Sequence, residues 1–203
     1  MGRGILRLLI AMITIALVPA LAGCFRSGRP DQFYMLRATE KAQAGPVAAD
    51  GGPRVGLGPI RIPAYLDRPQ IVTALSAQEY QLSDNHRWAE RLDVTVARVS
   101  AENLANLIPT ERIVPHPWSR ENAPDLQVAI NVQEFHVDQN RQARLEALWT
   151  LRQGRDTTLS RRFSCRLPVK AEDYSGMVEA ESQCLGRLNR EIAGAVRGLG
   201  RAE

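Results

Sequence analysis

Aromatic residues make up only 5% of this 203-residue chain, and histidine and cysteine occur three times each. None of His86, His116 and His136 stands in an H-E-x-x-H pattern or pairs with another at metal-ligand spacing on one helix, which excludes the common helical zinc site. G-x-S-x-G, G-x-x-x-x-G-K-S/T and G-x-G-x-x-G are all absent. Gly56-Leu57-Gly58 lies inside a strand pattern without a third glycine before a helix, so no dinucleotide turn follows. Asp173 and Ser175 have no partner that would make them a triad rather than surface and capping residues. An excess of one charge is missing too: 26 Lys+Arg face 22 Asp+Glu. Arg3 and Arg7 belong to the N-terminal segment, and removing them leaves 24 against 22, a net of +2 spread along the chain. Nucleic-acid binding needs a clustered basic face. Apolar runs of about 20 residues, the length that spans a bilayer, are also missing. With 24% charged and 44% hydrophobic residues, the chain is not of the disordered class and is long enough to bury a core. No internal repeat is visible.

The first two dozen residues carry the strongest signal present. Arg3 and Arg7 precede an apolar run of 14 residues, Leu8 to Leu21, interrupted by Pro19 and followed by Leu21-Ala22-Gly23-Cys24. A basic start, a short apolar stretch and small residues at its end describe an export signal. Leu-Ala-Gly-Cys in that place resembles the bacterial lipobox, where cysteine takes diacylglycerol through a thioether and becomes the mature N-terminus. Residues 1–23 are therefore expected to be a lipoprotein signal peptide, and 24–31 the lipidated Cys24 and its tether. Each buried CH₂ of an acyl chain contributes about 0.8 kcal/mol, so several chains hold firmly where one does not. Phe25 follows, where Asp would resemble the inner-membrane retention signal of enterobacteria. Attachment to the periplasmic face of the outer membrane is the expectation. Seven tether residues span at most about 25 Å, which keeps the domain near the membrane.

Cys165 and Cys184 remain, 19 positions apart, in an oxidising compartment. Cys165 shares strand parity with Phe163 and Leu167. Cys184 falls on the apolar face that Val178, Leu185, Leu188 and Ile192 give a late helix. Both point at one strand–helix interface, as a disulfide or as two buried thiols; without nearby histidines they do not read as a zinc site.

From 32 to 200 the pattern is one α/β domain with a mixed sheet and two long helices. Strands are expected at Gln32–Arg37, Arg54–Ile62 (broken near Gly58-Pro59), Gln70–Leu75 and Glu79–Leu82. A Gly/Ala/Pro-rich loop lies over Ala42–Pro53. Arg87 to Leu107 reads as a helix capped by Asp84 or Asn85, with Trp88, Leu92, Val96, Val99, Leu104 and Leu107 recurring at helical spacing. Arg112–Trp118, with its prolines, suits an edge strand. Leu126, Val128, Ile130 and Val132 alternate strictly, as do Leu145, Ala147, Trp149 and Leu151, and they face each other across Asp138-Gln139-Asn140 as a hairpin. Thr158–Val169 gives a further strand and Glu172–Leu199 the second helix.

Two segments could contact a partner. Tyr65-Leu66-Asp67-Arg68 sits in a turn bracketed by Pro63 and Pro69. Arg87-Trp88-Ala89-Glu90 puts Trp and Arg, residues favoured at interface hot spots, at an expected helix start with an Arg87–Glu90 ion pair. A solvated loop and an ordinary helix start with one core Trp are the plainer readings. Trp118, on the edge strand beside Pro115 and Pro117, is a further candidate docking point.

Several segments together resemble the ABC-type transport auxiliary lipoproteins, the family that includes the PqiC- and YmbA-type proteins. They are Leu21-Ala22-Gly23-Cys24, Phe33-Tyr34-Met35-Leu36, the long stretch Val55 to Val72, Arg87-Trp88-Ala89-Glu90-Arg91-Leu92, Glu134-Phe135, Ala180-Glu181-Ser182 and Glu191-Ile192-Ala193. Arg91 stands where the family usually has Pro. The resemblance implies a non-enzymatic, outer-membrane-anchored accessory component of an MCE-type (mammalian cell entry) lipid-transport system. Its partner would be a PqiB-like MCE-domain periplasmic protein, and it would have no cofactor besides the lipid on Cys24. A homo-oligomer would suit a conduit, and direct binding of acyl chains by the domain is the alternative. The family's fold is similar to the three-layer anticodon-binding or TolB N-terminal type.

Overall fold

Strict alternation of branched and large apolar residues gives the two longest paired strands, and the rest of the sheet is built on them. A computed structural model describes residues 29–42, 52–110, 112–154 and 156–199. The expected signal peptide, Cys24 and most of the expected tether, and the greater part of the loop expected at Ala42–Pro53 lie outside the described residues. The chain divides into Met1–Pro30 and Asp31–Glu203, and the architecture below is that of the second unit.

Eight strands and two helices follow in the order β1 Gln32–Tyr34, β2 Val55–Arg61, β3 Gln70–Ala74, β4 Tyr80–Trp88, α1 Leu92–Leu107, β5 Ile113–Pro115, β6 Leu126–Val137, β7 Gln142–Gln153, β8 Asp156–Pro168 and α2 Tyr174–Leu199. The strands form one mixed sheet in the order β1-β4-β3-β6-β2-β5, with β7 and β8 extending it from β6. One edge of β6 carries β2 in parallel along its first half and β3 at Val137; the other carries β7. In the β6–β7 hairpin Val128 pairs with Leu151, Ile130 with Trp149 and Val132 with Ala147. All six are buried, so both alternating runs send their apolar parity to one face. β5 is an edge strand, as its prolines require.

That face is covered by the helices. α2 lies on β6, β7 and β8, α1 lies on β2 and β5, and the two helices pack on each other. Because they touch, they share one face, and the described residues form a sheet layer and a helical layer without the third layer expected. Cys165 on β8 and Cys184 on α2 are joined in a disulfide with their Cα atoms 5.7 Å apart, resolving the two readings of that pair.

Among the glycines that close approaches require are Gly58 and Gly186. Gly58, at φ +130°, would bring a Cβ within 2.5 Å of the His116 Cβ, and β2 shifts register between Leu57 and Ile60 at the cis Gly58–Pro59 bond. A Cβ at Gly186 on α2 would strike the Thr39 Oγ1. Thr39 belongs to an irregular strap, residues 35–42, that follows β1 between the helices. Its main chain is held by side chains: Arg37 N–H donates to Ser182 Oγ, and the Thr39 and Glu40 N–H groups both donate to Asn103 Oδ1.

One boundary differs from expectation. The first helix begins at Leu92, not Arg87, and Asp84, Asn85, Arg87 and Trp88 belong to β4. Polar residues 83–87 have little strand preference of their own. They are held extended because β1 pairs with 86–88 on one side and β3 pairs through Arg87 on the other. The helix has no side-chain N-cap; Arg91 occupies that position at φ −53°.

Candidate functional site

The proline-bracketed turn closes on itself through Leu66 N–H to Pro63 O at 2.9 Å and Asp67 N–H to Ala64 O at 3.3 Å. Leu66 is only 2% exposed and pins the turn to the core. Pro69 then accepts the Trp88 N–H at 2.7 Å, which clasps the turn to the end of β4. The two segments singled out from sequence are thereby brought side by side. They enclose a notch of about 300 Å³ lined by Asp67, Arg68, Pro69, Trp88, Ala89, Glu90 and Arg91.

Trp88 is 6% exposed and forms wall rather than protruding anchor. The acidic groups of the notch already have partners. Glu90 lies 3.6 Å from Arg98 and accepts the Thr95 hydroxyl at 3.1 Å. Arg91 makes a two-bond fork to Asp93 at 3.0 and 3.1 Å and stands 3.7 Å from Asp67. The fork holds the Arg91 guanidinium still more firmly protonated. The expected Arg87–Glu90 pair does not form: with Arg87 in a strand, its Nε meets Asp31 at 3.0 Å instead. Arg68 differs from these. Its Nε is shielded from solvent and has no hydrogen-bond partner among the described residues. A desolvated, unpaired charge-bearing donor is costly until an acceptor arrives.

The remaining predicted residues lie elsewhere. Tyr65 packs against Tyr80, ring centres 5.0 Å apart, and its hydroxyl is 3.4 Å from His136 Nδ1. Burial, with Tyr80 adjacent, pushes the Tyr65 phenol up, and burial pushes buried His136 down. This cluster supports the turn from below. Trp118 stands edge-on to His116 on the far side of the sheet order, at β5. Cys24 lies outside the described residues.

Sequence reasoning missed Phe33 and Met35 as contact residues. Phe33 pairs in register with Arg87, and the Tyr34 carbonyl accepts the Ala89 N–H, so β1 runs beside the strand end that leads into the notch, though neither Phe33 nor Met35 lines it. Phe33 is 62% exposed and Met35 is exposed too. Tyr34 bonds His86 at 2.8 Å, and His86 stacks on Tyr174 at 3.7 Å, which fixes the strand from its inner face. The available signal was that Phe33-Tyr34-Met35-Leu36 is apolar at both parities. A solvent-bounded edge strand needs only one.

A second depression, about 520 Å³, lies between the outer side of α1 and the end of β2, with Leu57, Ile60, Val94, Ala97 and Ala101 in its walls. Among the described residues no helix is long and apolar enough to cross a membrane, and no cluster of three or more potential metal ligands occurs.

No curated protein matches the chain. Solved structures share its fold, two of them at more than four-fifths coverage of this chain. The crystal structure of an uncharacterized protein superposes with a TM-score of 0.69 at 18% identity, covering 83% of this chain and 99% of that one. A Xanthomonas campestris protein of the DUF330 family gives 0.68 at 18% identity over 84% and 98%. The model of one protein family, described as the ABC-type transport auxiliary lipoprotein component, matches residues 34–193. That span holds both helices' cores, the whole sheet beyond β1 and the notch, and the chain belongs to this family of transport auxiliary lipoproteins.

Proposed function

We propose that the protein is a non-enzymatic accessory lipoprotein, anchored by acyl chains on Cys24 to the periplasmic face of the outer membrane. There it docks a periplasmic MCE-domain protein of an ABC-type lipid-transport system. The acyl anchor supplies location and the notch supplies partner choice. The observation that carries the reading is the shielded, unpartnered Nε of Arg68 in a notch flanked by exposed Phe33 and Met35. Apolar side chains around one unsatisfied arginine form a surface suited to a partner segment with an acidic group. Asp67, Glu90 and Arg91 set its rim, Trp88 and Leu66 hold its shape, and Arg87 ties it to the N-terminal strand through Asp31. Family membership supports transporter partners in general. The likeness to anticodon-binding or TolB N-terminal domains carries no part of the reading.

Crosslinking in the native host with tagged lipoprotein tests it. Dominant capture of an MCE-domain protein, with crosslinks at residues 33, 35, 67, 68 and 90, is the expected result. Capture of porins and other abundant envelope proteins alone would reject it.

The depression beside α1 gives a second reading some support, because its volume and apolar walls suit one acyl chain. In that reading the domain itself carries lipid. Phospholipid retained by residues 25–203 in native mass spectrometry would favour it, and a clean apo mass would remove it.

A further inference from the structure

β1 runs parallel to β4, with Gln32 opposite His86 and Tyr34 opposite Trp88. Parallel neighbours start from the same end, so the chain enters β1 from the end of the sheet at which β4 begins. The turn joining β3 to β4 lies there, closed by the Leu75 N–H on Glu79 O. Three of the seven large apolar side chains exposed among the described residues surround that turn: Leu75 at 46%, Tyr80 at 40% and Leu82 at 41%. Tyr80 pairs with Ala74 and Leu82 with Val72, so all three belong to the outermost rungs of one hairpin.

The reach of the tether agrees with this direction. Along β3, the rung of Gln70 and Arg87 lies roughly 13 Å from that of Ala74 and Tyr80, and the seven residues between Cys24 and Gln32 reach about 25 Å when extended. The tether is thus long enough for Cys24 to reach the level of the hairpin tip.

We infer that the β3–β4 tip inserts Leu75 and Leu82 into the phospholipid surface that holds the acyl anchor, as a second, non-covalent contact, with Tyr80, whose ring packs on Tyr65 and His136, at its rim. The inference rests on the lipid-anchor reading of Cys24. The surface is recognised through apolar contact. Charges at this end of the sheet are of mixed sign, with Glu79, Asp138, Glu172 and Asp173 against Arg141 and Lys170, so anionic headgroups are not favoured. The notch lies at the opposite end of the same hairpin. Four steps of β3 separate Gln70, opposite Arg87, from Ala74, opposite Tyr80, so a tip seated in the membrane holds Arg68 and Trp88 roughly 15 Å from it.

The test uses the full lipidated protein in phosphatidylcholine–phosphatidylethanolamine vesicles. With Cys24 acylated and Cys165–Cys184 bonded, an introduced cysteine is the reactive thiol. Ala77→Cys, in the turn itself, leaves all three apolar side chains in place, and Ser119→Cys at the other end is the control. An environment-sensitive fluorophore at 77 is expected to shift to the blue and to lose about half its emission to nitroxide-bearing acyl chains, while one at 119 does neither. Adding Leu75→Asp and Leu82→Asp should abolish the effect at 77. Protein that floats with the vesicles while position 77 stays in water overturns the inference and leaves the anchor standing. Protein that does not float overturns the anchor, and the inference with it. Protection at 77 that needs a second protein, or that needs phosphatidylglycerol, overturns apolar insertion.

Discussion

Glu40 and Arg190, 150 positions apart, meet in a two-bond fork at 2.7 and 2.9 Å. The fork closes the strap that follows β1 onto the middle of α2, and the Asn106 side chain holds the Glu40 carbonyl from α1 at 2.9 Å. The N-terminal strand, and with it the flank of the notch, is thus fixed by side chains of both helices.

Glu40→Gln keeps the shape and removes the charge. Arg190 is more than half exposed, so the loss is set at about 1 kcal/mol rather than the value of a buried pair. For a domain of this size that lowers Tm by about 2–4 °C, read by calorimetry. No change would mean that Asn103, Asn106 and Ser182 hold the strap without the fork.

Arg68→Ala and Arg68→Glu should leave Tm nearly unchanged, since the side chain has no intramolecular bond to lose through Nε. Affinity for the captured MCE-domain protein should fall on the order of tenfold or more for Ala, roughly 1.4 kcal/mol, and further for Glu. Phe33→Ser should weaken binding without touching the core. Equal affinity in all three would move the docking face elsewhere.

Reduction of the Cys165–Cys184 bridge opens a loop of 19 positions and should cost about 3 kcal/mol in the chain-entropy model. Tm should drop by about 6–12 °C in reductant, and Cys165→Ala/Cys184→Ala protein should lose its sensitivity to reductant. The bridge joins β8 to α2, so hydrogen exchange should rise first at those two elements.

Glu181 is wholly buried on α2, and desolvation pushes its carboxyl up to about 8. In the folded protein it keeps its proton at neutral pH, while the unfolded chain releases it above about 4.5. The folded state thus binds more protons between those values, and stability falls as pH rises through that window, flattening below about 4.5 and above about 8. Urea unfolding at pH 5, 7 and 9 reads the slope. Glu181→Gln, the shape of the protonated acid, should remove most of that slope and be the more stable protein at pH 9. A slope that survives the substitution would assign it to other groups.

Much of this was legible in the chain, and particular residues show where legibility stopped. The β6–β7 hairpin could be read because a period of two with large apolar residues admits no helical alternative, and Asp138-Gln139-Asn140 fell at the turn. The shared interface of Cys165 and Cys184 followed from strand parity at 165 and helix phase at 184, each a local property, while the bond between them is visible only in the fold. Trp88 misled because it stands four before Leu92, in phase with Val96, so a buried strand end mimicked the first turn of a helix. Nothing local marks Ser83 to Arg87 as strand; two neighbouring strands impose it. Asp67, Arg68, Trp88 and Glu90, singled out from sequence, come together in the notch, where Arg91 is tied by its salt bridges, and the strap bonds to Asn103 and Ser182 are invisible without the fold.

The parallel pairing of β1 with β4 has a mechanical consequence. A chain tethered to a bilayer at its N-terminus and loaded at the notch feels tension along the axis of β1, towards the hairpin tip. The β1–β4 bonds are then sheared together rather than peeled in turn, although β1 has only three residues. Behind it, the bonds from Arg37, Thr39 and Glu40 to the two helices take up the same pull. A pull between anchor and notch would thus be resisted in graded steps, first by the short β1–β4 pairing and then by the strap.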